Sequence, residues 1–117
     1  MRSVVDVLRA ARARIEHPGT WCKGHVAITI DGASTHAHDL KALQYCGVGA
    51  AIASLHPRDS GLAHRVYDSL HQEAKKLGFS SFGLFNDARD TKHEDVLQAY
   101  DRAIEAAEQE SQCPPSG

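Results

Sequence analysis

Histidine and cysteine side chains recur in the segment from residue 22 to residue 38. Asp31-Gly32 is typical of a two-residue hairpin turn, which would place His25 opposite His38 and bring three histidines to one face. Imidazole and thiolate are ligands that Zn²⁺ prefers. The candidate zinc ligands are Cys22, His25, His36 and His38. The alternative is a solvent-facing side of a hairpin whose histidines are separately hydrated.

A second candidate site combines a cysteine with two short polar residues. Cys46 lies in the apolar stretch 42–55, and Asn86-Asp87 follows an aromatic residue near the start of the last predicted helix. With a histidine nearby, Cys46, Asn86 and Asp87 would form the arrangement of a thiol hydrolase. However, a thiol inside an apolar helix has a raised pKa and is inert. Asn-Asp before a helix usually forms turn and cap hydrogen bonds, so catalysis is the alternative and not the leading interpretation.

Other side chains are candidates for binding a protein partner. Trp21 is the single tryptophan and is either a lid on the core or an interface anchor. Asn86 and Asp87 are alternative ligand contacts. Arg9 and Arg12 lie on or beside the polar face of the first predicted helix, and the last helix has an acidic face. Together these faces would suit a partner with complementary charges, while ordinary solvated surface is the alternative.

The chain length, net charge and cysteine count restrict the class of protein. The 117 residues are enough for one domain with its own core. Thirteen basic and fifteen acidic side chains give a net charge of −2, which argues against nucleic acid as a partner. Three cysteines at unrelated spacings favour reduced thiols in a cytoplasm over a disulfide framework. No apolar run is long enough for a signal peptide or a membrane span.

Apolar periodicity predicts a mainly helical α+β fold. Four helices are expected: 3–16 with Ser3 as its N-cap, 40–55 with Asp39 as its N-cap, 61–77, and one from a capping box at Thr91 and Glu94 onward. The third has an apolar stripe that includes Val66 and Leu70, and Gly78 follows its end. The second helix is apolar nearly all round, so it should be buried at the centre. One β-hairpin covers 25–37, and residues 79–87 read as an extended connector. We expect one globular domain over 1–111 and a flexible tail over 112–117.

Three short motifs occur in a characteristic order along the chain. They are Trp21-Cys22-Lys23-Gly24, Tyr45-Cys46-Gly47-Val48-Gly49-Ala50, and Phe85-Asn86-Asp87-Ala88 leading through Thr91 and Glu94 to Asp101-Arg102-Ala103-Ile104. The sequence resembles an uncharacterised domain-of-unknown-function family of short bacterial and phage proteins. The family pattern has threonine at position 22 and tryptophan at positions 45 and 85, where this chain departs from it. The resemblance implies a compact fold and a bacterial or phage setting, with no assigned activity.

The function expected from these observations is that of a non-catalytic protein-interaction module. Because the resemblance includes phage proteins, one form would be a small inhibitor that occludes a host defence complex such as CRISPR. The alternative is a small hydrolase that uses Cys46 or the hairpin histidines. No cofactor is expected in the first case, and zinc is the candidate in the second.

Overall fold

The computed structural model describes residues 3–112, with side chains through residue 110. Five α-helices lie in this part of the chain: α1 (Val4–Arg14), α2 (Gly47–Ala53), α3 (Ser60–Lys76), α4 (Phe82–Asp87) and α5 (His93–Gln112). The strands β1 (Ala27–Thr29), β2 (Ser34–Thr35) and β3 (Ala42–Tyr45) form an antiparallel sheet in the order β2-β1-β3. The predicted fold class, α+β and mainly helical, is confirmed.

The first helix begins at the predicted cap. The Ser3 hydroxyl accepts the Asp6 N–H at 3.2 Å, and the Asp6 carboxylate accepts the Ser3 N–H at 2.9 Å. This reciprocal capping box satisfies N–H groups that have no partner inside the helix. Helix α1 ends at Arg14, two residues before the predicted end, because the Ile15 N–H bonds back to Arg12 instead of extending the helical ladder.

The core lies where α1, α2, α3 and α5 meet. Its largest fully buried apolar side chains are Tyr100, Phe82, Leu8, Ile15, Leu70, Val7, Val66 and Val96. Tyr100 donates its hydroxyl hydrogen to the carbonyl of Gly47 at 2.6 Å, which ties α5 to the start of α2. Four of the seven residues of α2 are buried, so the second helix is the central element that its apolar composition predicts.

The prediction of one helix over 40–55 is wrong in its first half. Residues 42–45 form β3, and Asp39 caps no helix but accepts the Lys41 N–H and the Thr35 hydroxyl. The Cys46 N–H bonds to the carbonyl of Val26 at 3.1 Å, and α2 begins only after Cys46. Sheet pairing with β1 therefore supplies backbone partners that a longer helix would have supplied locally.

The predicted register of the hairpin is also wrong by one residue. Ala27 pairs with Thr35, whereas a two-residue turn would have placed it opposite His36. The turn holds three residues, Ile30–Gly32, and the Thr29 N–H donates to Ala33 beyond it. Gly32 has a φ of +83°, the left-handed conformation that closes a three-residue hairpin turn.

Two further elements, between residues 79 and 95, differ from the sequence prediction. Instead of an extended connector, Phe82–Asp87 forms α4, whose first turn is capped by the Ser81 hydroxyl. The capping box predicted at Thr91 and Glu94 does not form. Helix α5 begins at His93, and the Asp95 carboxylate accepts the Lys92 N–H at 2.9 Å. The cap is therefore shifted by one residue along the chain.

The predicted division into a globular domain over 1–111 and a flexible tail over 112–117 stays a prediction. Helix α5 continues through Gln112, and the remaining residues of the predicted tail, 113–117, lie outside the described residues. None of the helices in the described part of the chain combines the length and apolar character that a bilayer crossing requires.

Candidate functional site

The side chain of Asn86 lies at the centre of a buried polar cluster. Its Oδ1 accepts the Trp21 Nε1–H at 2.7 Å and the Gly47 N–H at 2.9 Å. Its Nδ2 donates to the carbonyl of Cys22 at 3.1 Å and to Asp87 Oδ1 at 3.0 Å. Asn86 has no exposed surface, and these four bonds use both lone pairs and both hydrogens of its amide. It therefore joins α4, the first turn of α2 and the loop that contains Trp21.

The neighbouring residues hold that loop at two further points. Asp87 Oδ1 accepts the Gly24 N–H at 2.9 Å, and Lys23 Nζ donates to the carbonyl of Ala88 at 2.6 Å. Gly24 has a φ of +79°, a conformation that residues with a Cβ rarely adopt. The segment 21–24, which carries the first motif of the family resemblance, is thus fastened along the end of α4.

Cys46 is the N-cap of α2. Its sulfur accepts the Gly49 N–H at 3.2 Å, and its side chain is buried. Burial raises the pKa of the Cys46 thiol, and the charge of Asp87 raises it further, although the Gly49 hydrogen bond acts in the opposite direction. The thiol therefore stays protonated near neutral pH, and it lacks the thiolate character that a nucleophile needs.

The three residues of the hydrolase alternative are brought together, but their bonds are structural. Cys46 and Asn86 meet at the start of α2, where the backbone N–H of Gly47 bonds to Asn86. Within residues 3–112, no histidine ring bonds to the sulfur of Cys46, and Asn86 has no remaining capacity to orient one. A nucleophile with its base and orienting group requires such bonds.

The four candidate zinc ligands differ in environment. Cys22 is buried and its thiol donates to the carbonyl of His25, whereas the three histidines are exposed. Burial, Cys46 and Asp87 together raise the pKa of the Cys22 thiol to about 12. The one-residue difference in register also removes His25 from the position opposite His38. Among residues 3–112, no three histidine, cysteine or acidic side chains converge in a way that could hold a metal ion.

Trp21 lies half-buried over the polar cluster, as a lid on the core would. Its ring is 5.6 Å from the ring of His93 and 5.7 Å from the ammonium of Lys23. His93 in turn bonds to the carbonyl of Ile15, at the end of α1. No sequence pattern indicates this contact of His93, because it depends on the packing of α5 against the end of α1.

The charged faces of α1 and α5 neutralise each other. Arg9 contacts Glu108 at 2.6 Å, and Arg12 makes two contacts with Asp101, the shorter at 2.6 Å. Arg12 also reaches Glu16 at 3.3 Å. The arginines predicted to meet an external partner are therefore already engaged by carboxylates of the same domain. Such exposed pairs contribute little to stability, about 0–1 kcal/mol each.

Sequence analysis missed a set of exposed aliphatic side chains at one end of the sheet. Leu40 is fully exposed, Ile30 is 78% exposed and Leu43 is 48% exposed. The pairing of Thr29 with Ala42 places Ile30 beside the segment that contains Leu40, and Leu43 follows directly in β3. We call Ile30, Leu40 and Leu43 the aliphatic tip. The signal in the sequence was an isolated leucine between Asp39 and Lys41, which no amphipathic pattern accounts for.

Comparison with known proteins supports the family resemblance. Neither a curated protein nor a solved structure matches the chain. A family model matches residues 1–106, which include the three motifs and the polar cluster around Asn86. The predicted membership of a domain-of-unknown-function family is thereby confirmed. The chain belongs to the family of unknown function DUF6197.

Proposed function

We propose that this protein is a non-catalytic module that binds another protein through the aliphatic tip. The observation that carries the proposal is the exposure of Ile30, Leu40 and Leu43 at the same end of the sheet. Large apolar side chains that are exposed together commonly mark interaction sites, because burying them against a partner removes apolar surface from water.

The polar cluster supports a non-catalytic role. Both lone pairs and both hydrogens of the Asn86 amide form hydrogen bonds within the domain, and the thiol of Cys46 is buried with a raised pKa. These features hold the end of α4 against α2, and neither the amide of Asn86 nor the thiol of Cys46 is free for nucleophilic attack or proton transfer. Both described cysteines are free thiols, which fits a cytoplasmic setting.

The surroundings of the tip indicate the chemistry of the partner. Asp31, Asp39 and the exposed Lys41 flank it, and hydrogen bonds from Thr35 and the backbone of Lys41 lower the pKa of Asp39. Three side chains are too few for a self-sufficient homodimer, which usually buries more than about 2,000 Å². We therefore infer a different protein with an apolar pocket and a rim that offers basic groups to Asp31 and Asp39 and an acidic group to Lys41. An inhibitor of a defence complex such as CRISPR is one case of this proposal.

The test compares three baits in capture from a bacterial lysate, followed by binding measurements with the purified partner. The baits are the native chain, the double variant Ile30→Ser/Leu40→Ser and the control Leu84→Ser. Leu84 is 59% exposed on α4 and lies apart from the tip, so its replacement removes similar apolar surface elsewhere. We expect the native chain and the control to bind the same partner, and the double variant to bind it about tenfold more weakly or worse.

Equal binding by all three baits would refute the tip as the docking surface. Thermal melting of each variant verifies that the fold is retained. Sedimentation velocity of the native chain covers self-association. A dimer that the double variant abolishes would replace the proposed partner with a second copy of the chain. Subunits of a defence complex among the captured proteins would support the inhibitor form.

A further inference from the structure

A cleft of about 460 Å³ opens between the end of α3, the segments before and after α4, and the first turns of α5. Its floor is apolar and comes from Leu77, Phe79 and Phe85. Its rim carries Arg89 and Arg102 together with two aspartates. Clefts of roughly 300–1,000 Å³ with an apolar floor and a few polar groups are the usual form of small-molecule sites.

Leu77 and Phe79 present apolar surface on this floor that the fold itself does not cover. The rings of Phe79 and Phe85 lie 5.4 Å apart at a tilt of 56°. Phe85 is anchored in the core, Phe79 is half-buried, and Leu77 is 44% exposed. A flat apolar group entering the cleft would therefore meet a rigid aromatic surface and a leucine at its edge. Burial of such a group is favourable by roughly 25 cal/mol per Å² of apolar area.

The arginines of the rim are available for a ligand. Arg89 and Arg102 are exposed, and within residues 3–112 neither forms an ion pair or donates a side-chain hydrogen bond. Arg9 and Arg12, by contrast, are engaged by carboxylates of the same domain. A guanidinium group presents a planar fork of donors that matches an oxyanion in two-point contact.

We propose that this cleft binds a small monoanion consisting of one carboxylate on a flat apolar body. Arg89 and Arg102 would bind the carboxylate, and Phe79 with Leu77 would contact the apolar body. Two aspartates of the rim, Asp90 and Asp95, cancel the formal charge of the arginines. A dianion such as a phosphate monoester would be repelled by the aspartates, whereas a monoanion can pair with the arginines at smaller cost.

This inference does not rest on the aliphatic tip, and either proposal can fail alone. The experiment follows backbone amide chemical shifts by NMR as phenylacetate is added to the native chain. Three comparison probes separate the contributions of the charge and of the ring to binding. Phenylacetamide lacks the charge, acetate lacks the ring, and phenyl phosphate carries a second charge. The variants are Arg102→Gln in the cleft, Leu77→Gln on its floor, and the control Arg65→Gln, an exposed arginine nearer the start of α3.

We expect saturable shifts at the amides of Leu77, Phe79 and Arg102, and about tenfold weaker binding of phenylacetate by Arg102→Gln. Leu77→Gln should also weaken binding, and Arg65→Gln should leave it unchanged. Because all three replaced side chains are exposed, thermal melting should show the native fold in each variant.

Four results would overturn the proposal. They are shifts that do not saturate, shifts confined to other parts of the chain, equal binding of phenylacetamide, and equal weakening by Arg65→Gln. Tighter binding of phenyl phosphate than of phenylacetate would overturn the assignment to a monoanionic carboxylate. If acetate binds as tightly as phenylacetate, the apolar floor contributes nothing to binding and is not part of the site.

Discussion

Replacement of Asn86 by leucine should destabilise the protein far more than an ordinary polar substitution. Leucine has the same branched arrangement of heavy atoms as asparagine but bulkier methyl groups, so the change removes hydrogen bonds without opening a cavity. Two fully buried partners, the Gly47 N–H and the Cys22 carbonyl, would lose their bonds to Asn86. The Trp21 Nε1–H, which is half-buried, would lose a third.

Each buried group left without a partner costs about 1–3 kcal/mol. The two fully buried groups together give a loss of about 2–6 kcal/mol in the free energy of unfolding. The indole of Trp21 adds less, because a half-buried N–H can bond to water. A domain of this size is stable by about 5–15 kcal/mol, so Asn86→Leu should consume a large share of that stability.

Urea denaturation followed by circular dichroism and by tryptophan fluorescence measures this loss. Trp21 is the single tryptophan, so its fluorescence reports on the side chain bonded to Asn86. The matched control is Asp90→Ala, an exposed position just after α4 whose carboxylate forms no ion pair within residues 3–112. If Asn86→Leu lowers the free energy of unfolding by less than about 1 kcal/mol, the cluster is not the structural centre described above.

Two further predictions address the packing of α2 and the thiols. A Cβ at Gly49 would lie 1.9 Å from the carbonyl oxygen of Val26, so Gly49→Ala should cost about 3 kcal/mol or more by chemical denaturation. The control Gly61→Ala meets open space and should be neutral or stabilising. A native denaturation midpoint for Gly49→Ala would contradict the close approach. Because the folded protein raises the pKa of Cys22 from 9.0 to about 12, the unfolded chain ionises first. The contribution of the Cys22 thiol to the free energy of unfolding should therefore be fully present below pH 9 and decline as the pH rises to about 12. A Cys22→Ala variant should show a shallower fall of melting temperature over that range.

Local signals in the sequence predicted several elements correctly. The cap at Ser3, the apolar stripe of α3 and the glycine that ends it at Gly78 all involve residues within a few positions of one another. The stripe is buried at Val66 and Leu70, and Gly78 adopts a φ of +92°. Such features depend on backbone geometry and on side-chain periodicity, which a single sequence displays directly.

Two of the predictions that failed depend on pairing between strands. Residues 42–45 have side chains that suit a helix or a strand, and their pairing with β1 decided the outcome. The observed register of the hairpin differs by one residue from the predicted one because Gly32 closes a three-residue turn. This difference removes His25 from the position opposite His38 in the candidate zinc site. A choice between two turn lengths differs by little energy locally, and the contacts of the whole sheet determine it.

The sequence by itself determined the family, the mainly helical class and the identity of the polar residues near α4. Only the tertiary structure decided what those residues do. It showed that Asn86 spends its amide on Trp21, Gly47 and Cys22, which lie far from it along the chain. It likewise paired the arginines of α1 with the carboxylates of α5 and left the arginines around the cleft free within residues 3–112. A side chain's bonding partners are set by packing across the chain, and no periodicity or spacing in one sequence encodes them directly.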